Sequence, residues 1–205
     1  MTAQHLVLLV EEPSMETFLR ALLPRLLPAG RTFEVHPFQG KHDLLGKLGG
    51  RLRGYAQWLP DDWRIVVVVD LDDDDCQALK QRLEAVAAAA GLHTRSRAGV
   101  RHWQLVNRIA VEELEAWYFG DWHAVCAAFP RASRTIPNQA KYREPDAILG
   151  GTWQAFERIL QRHGYFETGL CKMEAAQAIG THVNPGRSRS LSFAKFHEAI
   201  AEAMT

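Results

Sequence analysis

The sequence predicts an α/β fold: a parallel sheet flanked by helices, with a mostly helical C-terminal extension. Three observations carry the fold class. Short apolar runs alternate with stretches of helical periodicity in β-α-β-α-β-α order through the N-terminal half. One of those runs, Ile65 to Val69, is apolar and β-branched without alternation, as a strand covered on both faces should be. Beyond "NRIAVEELEAWYFGD" the chain reads as helical.

Each element has its own justification. "HLVLLV", His5 to Val10, is a short apolar strand. Ser14 is a plausible N-cap for a helix carrying Phe18, Leu19, Leu22, Leu23 and Leu26, which Pro28 closes. "TFEVHPF" reads as a second strand. Leu44, Leu45, Leu48, Leu52, Tyr55 and Leu59 recur at helical intervals up to Pro60, despite several glycines. The strand at Ile65 to Val69 is next, then a helix from about Gln77 to Ala90 that Gly91 ends. "LVNRIAVEELEAWYFGD" is a strand running into a helix. We place an α/β domain at 1–121 and a helical extension packed on it at 122–205.

Composition bounds the function. The chain has 205 residues and 47% hydrophobic content, enough for a core. Lysine plus arginine number 24 and aspartate plus glutamate 24, so no global charge advertises nucleic acid, although local patches could bind phosphate. Three cysteines form no CxxC pair, the N-terminus lacks a signal-peptide layout, and no apolar run approaches membrane length. The expectation is a soluble cytoplasmic protein with no membrane partner.

The acids are placed rather than merely numerous. Five of the six positions from Asp70 to Asp75 are aspartate, directly after a buried strand. The first strand ends in Glu11 and Glu12. In a parallel sheet both ends lie on one edge, where ligands bind. In extended backbone Asp70 and Asp72 would share a side and could reach one hard cation through oxygen ligands. Asp73 to Asp75 have a second explanation, since they precede a helix whose dipole favours negative charge.

An apolar strand ending in glutamate, then a helix, then an apolar strand ending in DxD resembles the TOPRIM domain of topoisomerases, primases and overcoming-lysogenization-defect nucleases. "LVLLVEEPSMETFLRALL" and "VVVVDLDDDDC" are most similar to a small stand-alone TOPRIM-like branch, classed as a domain of unknown function and often encoded beside ATPases. The resemblance continues through "NRIAVEELEAWYFGD", "CKMEAAQAIG" and "RSRSLSFAKF". It implies that the α/β fold is a TOPRIM-like parallel sheet flanked by helices. It implies too that Glu11 is the TOPRIM glutamate and that Asp70 and Asp72 are the DxD pair, holding Mg²⁺ or Mn²⁺. It also makes "EELEAW" a hallmark, so Glu113, with Glu115 second, is expected as a further metal-side carboxylate. The small residue that usually comes after the motif glutamate is Glu12 here.

Other residues are candidates on their own chemistry. Glu112 and Glu115 are three apart and could share a helix face. Lys172, at a helix start, could offset charge on a phosphate, though such a lysine is often only a surface cation. Arg95, Arg97 and Arg101, beside His102 and Trp103, and Arg187 with Arg189 in a serine-rich loop, are candidate nucleic-acid contacts. Solvated loops look similar.

Haloacid-dehalogenase-like phosphatases and nucleotide-sugar glycosyltransferases also place DxD after an apolar strand. The first normally carry it on the first strand, and neither layout calls for a glutamate closing that strand. The expectation is therefore a divalent-metal-dependent phosphodiester hydrolase acting on DNA or RNA, in phage defence with an ATPase partner protein. The alternative is a non-catalytic or weakly catalytic interaction module that regulates such an ATPase.

Overall fold

The computed structural model describes residues 2–98 and 102–205. Its centre is a four-stranded parallel sheet of order β2-β1-β3-β4, with β1 at His5–Val10, β2 at Thr32–Pro37, β3 at Trp63–Asp70 and β4 at Leu105–Ala110. The crossovers are helices: α1 (Pro13–Leu22), α2 (Lys41–Ala56) and α3 (Cys76–Ala89), the last succeeded by the short α4 (Arg95–Ala98). After β4 come α5 (Leu114–Gly120), α6 (Trp122–Ala128), α7 (Thr152–Arg162), α8 (Lys172–Gly180) and α9 (Leu191–Met204). The α/β class and the helical C-terminal region are as the sequence predicts. Among the described residues, no helix is long and apolar enough to cross a membrane.

Strand alternation divides the core. Leu6, Leu8, Val10, Val66, Val68 and Val106 point to one face, where α1 and the C-terminal helices contribute Phe18, Trp117, Phe156, Phe193 and Phe196. Val7, Leu9, Ile65, Val67 and Val69 point to the other, against Leu44, Leu48 and Leu52 of α2 and Leu79 and Leu83 of α3. Burial on both faces explains why β3 reads as an unbroken apolar run.

Local signals account for several element ends. Asp75 caps α3, accepting from Ala78 N at 2.7 Å. Gly91, at φ 82°, ends the same helix as predicted: Gly91 N donates to Ala88 O and Leu92 N to Ala87 O. At α1 the start differs from the expected Ser14 cap. Pro13 takes the first helical position, Glu12 is the cap residue, and Ser14 Oγ donates to the Glu12 carboxylate.

Both outer strands have a carbonyl engaged by a long cation. Arg20 Nη2 donates to Val35 O on β2 at 3.1 Å, and Lys80 Nζ to Asn107 O on β4 at 2.7 Å. The C-terminal helices are fixed to the first helix at Gly180 of α8, where an added Cβ would lie 2.8 Å from both Ala21 Cβ and Phe18 O of α1. Arg25 Nη1 secures the end of α8 by donating to Gly180 O and Val183 O.

Candidate functional site

All four strands end at one edge of the sheet, and each delivers charge there. Glu11 and Glu12 come after β1, Lys41 opens the helix after β2, Asp70 and Asp72 close β3, and Glu112, Glu113 and Glu115 come after β4. The order β2-β1-β3-β4 makes the β1/β3 boundary the place where the connections change side, which is where parallel sheets bind ligands. Glu11 and Asp70 stand on that boundary.

The two are joined directly. Asp70 N donates to Glu11 Oε2 at 3.1 Å. Burial pushes the Glu11 carboxyl above its ordinary range, opposed by the Asp70 N–H and by Lys41, and reinforced by Asp72 and Glu12. Asp70 itself is only 5% exposed, and its Oδ1 is buried with no hydrogen-bond partner. Burial drives its pKa well above the carboxylate range, and Glu11, Glu12, Glu115 and Asp72 push the same way.

Asp72 does not continue the strand. Its φ of 47° lies in the left-handed region, so the extended geometry expected to align it with Asp70 is absent. Asp72 N is held by Glu112 O at 3.1 Å, and its carboxylate meets Lys41 Nζ at 2.8 Å. The same ammonium contacts Asp74 Oδ2 at 2.9 Å and donates to Leu71 O at 3.0 Å. Asp72 still lies close enough to raise the pKa values of Glu11 and Asp70.

The acids after β4 separate by role. Glu112, at φ 64°, precedes α5 and shares no helix face with Glu115. Glu113 Oε2 accepts from Thr152 Oγ1 at 2.8 Å and Trp153 N at 2.9 Å, so it holds the first turn of α7, whose cap residue is Gly151. Glu115 is 1% exposed with Oε2 unpartnered. Burial, helped by Glu113 and Glu12 against the pull of Lys172, raises its pKa to about 7. Lys172, the first residue of α8, sits 3.6 Å from Glu12 Oε2 and over the Trp153 ring. Burial would lower its pKa, but Glu115, Glu12, Glu113 and Asp70 raise it. Glu12, where the resemblance led us to expect a small residue, has φ −139° and needs no glycine.

The arginines do not form one patch. Arg95 is bound to Glu202 and Glu198 of α9 and ties α4 to the C-terminal helix. Arg97 is exposed, and Arg101 lies outside the described residues. Arg187 and Arg189 line a common cleft at the far end of α5.

Sequence reasoning missed Lys41 and Arg134, which lines that same cleft. The rule that located the acids, attention to the residues just beyond each strand, would have found Lys41 after β2. Arg134 carried no local signal, because its loop approaches Arg187 only in the folded chain.

The donors are hard oxygens and suit Mg²⁺ or Mn²⁺, and the orphaned Asp70 Oδ1 and Glu115 Oε2 are groups a cation would satisfy. Among the described residues, no three histidine, cysteine, aspartate or glutamate side chains already stand as a metal cage. No curated protein and no solved structure matches the chain. Residues 10–201 match DUF4276, a domain of unknown function, and over that span the chain belongs to this family.

Proposed function

We propose that the chain is a divalent-metal-dependent phosphodiester hydrolase acting on DNA or RNA, with the acid edge as its active site and a TOPRIM-like ancestry. The observation that carries this reading is Asp70: a buried carboxyl with an unpartnered oxygen, at the β1/β3 boundary, fastened through its own N–H to Glu11. A buried acid surrounded by four others is costly to ionise unless a cation joins them.

Glu11, Asp70 and Glu115 would hold Mg²⁺ or Mn²⁺, with Asp72 joining once it leaves Lys41. Such an ion, when bound, supplies Lewis-acid polarisation of a phosphate and a lowered pKa for bound water. Lys172 faces the same acids from α8 and would neutralise a phosphate oxygen. Glu113 orders the start of α7 and thereby Trp153 beside Lys172.

One observation favours the second reading, a module regulating an ATPase partner: Lys41 already neutralises Asp72 and Asp74 without any metal. Purified protein assayed on DNA and RNA with Mg²⁺, Mn²⁺ or chelator separates the two. Metal-dependent cleavage abolished by Asp70→Asn supports the hydrolase. No cleavage, together with no Mn²⁺ heat in calorimetry, supports the module.

A further inference from the structure

At the opposite end of α5 from Glu113 is a cleft of about 380 Å³ whose lining includes Arg134, Arg187, Arg189, His123 and Asn138, with Asp121 its single acid. That acid is spent internally. Asp121 is 1% exposed, and its carboxylate accepts from Asn184 N at 2.8 Å and from Arg187 through Nε at 3.1 Å and Nη2 at 2.9 Å. The pairing neutralises one guanidinium and leaves two, Arg134 and Arg189, in excess. Among the described residues neither of their side chains has a hydrogen-bond or ion-pair partner within the protein.

The cleft is built on fixed points. Arg187 is oriented by the buried fork to Asp121 and by Nη2 donating to His182 O at 3.0 Å. Arg189 springs from a loop pressed onto the helix end: its N donates to Gly120 O at 3.0 Å, and a Cβ on Gly120 would lie 3.1 Å from Ser190 N. Arg134 is next to Ser133, whose carbonyl accepts from Trp122 Nε1 and whose N–H donates to His163 Nε2. Three guanidinium groups and an imidazole around one concavity suit a group with several anionic oxygens on one centre.

We propose that this cleft binds phosphate groups of a nucleic-acid strand, anchoring the backbone away from the acid edge. The choice of a strand over a free phosphate rests on the hydrolase reading, whereas the anion chemistry does not.

The test is fluorescence anisotropy of labelled single-stranded DNA and RNA oligonucleotides with the full chain in chelator, where no hydrolysis occurs. Arg134→Ala/Arg189→Ala is the informative variant, since these side chains hold nothing else; Arg187→Ala would strand the buried Asp121. With an unchanged melting temperature, the double variant should bind about tenfold more weakly at ~0.1 M salt, and its salt slope should fall by about 0.7 per lost contact. Arg134→Lys/Arg189→Lys should keep most of that slope. Equal affinity and slope in wild type and the alanine variant, or no oligonucleotide binding by wild type, overturns the proposal. So does inorganic phosphate competing as strongly, per phosphate, as the oligonucleotide. Hydrolysis of a small phosphodiester such as bis(p-nitrophenyl) phosphate needs no anchor and reports on the acid edge alone. Arginine-dependent strand binding without that hydrolysis would uphold the cleft while defeating the hydrolase.

Discussion

The Asp70 backbone N–H donates to Glu11 Oε2 at 3.1 Å, so the end of one central strand is held by the acid that closes its neighbour. This bond fixes the Glu11 carboxylate but does nothing for the Asp70 side chain, whose Oδ1 stays buried and unpartnered.

Asp70→Asn should therefore relieve the metal-free protein while damaging the metal-bound one. In chelator its melting temperature is expected to equal or exceed that of wild type. With Mn²⁺ at about 100 times its Kd, wild type should gain about 2.7 kcal/mol and the variant almost none. A variant that melts lower in chelator and gains as much from Mn²⁺ would make Asp70 a structural residue.

Glu113→Ala should behave differently, because Glu113 serves the first turn of α7. The expected loss is about 1 kcal/mol, the scale of a helix cap, and equal with and without Mn²⁺. Urea denaturation under both conditions measures it. A loss seen only with Mn²⁺ would make Glu113 a metal ligand first.

Glu84 gives a pH dependence remote from the acid edge. Burial would raise its pKa, yet hydrogen bonds from Ser96, Thr94, Asn107 and Lys80 bring it down to about 2 from 4.5. The folded pKa lies below the unfolded one, so this carboxylate stabilises the fold above about pH 4.5, and the contribution is lost as pH falls towards 2. Glu84→Gln should be less stable than wild type at about pH 7, with the gap narrowing below about pH 4.5 and closing only as pH falls towards 2 in urea titrations. A gap independent of pH would assign the effect to packing.

Gly180→Ala places a methyl group 2.8 Å from Phe18 O, a backbone atom that cannot rotate away. The expected cost is about 1–3 kcal/mol by overpacking. Because α8 begins with Lys172, hydrolysis should fall further than the folded fraction does. Activity that simply tracks the folded fraction in urea would separate the helix contact from the lysine.

The parallel sheet was legible because buried β-branched runs and helical periodicity leave little choice of element, and Glu11 and Asp70 could be placed from strand ends alone. Asp72 was harder. Its spacing from Asp70 implies a shared side only if the strand continues, and a left-handed residue held by Glu112 O ends it. Glu113 and Glu115 are indistinguishable by sequence position. Their difference comes from Thr152 and Trp153, contributed by a helix nearly forty residues away. Arg95 looked like a phosphate contact because Glu198 and Glu202, its partners, lie at the other end of the chain.

Arg20 on Val35 O and Lys80 on Asn107 O have a consequence for assembly. A free strand margin is a template on which another chain can polymerise, and here each margin carries a charged stopper supplied by an adjoining helix. A strand arriving from a second molecule would have to displace an ammonium on one side or a guanidinium on the other. Each lateral margin of the sheet is thus guarded at one carbonyl against growing sideways.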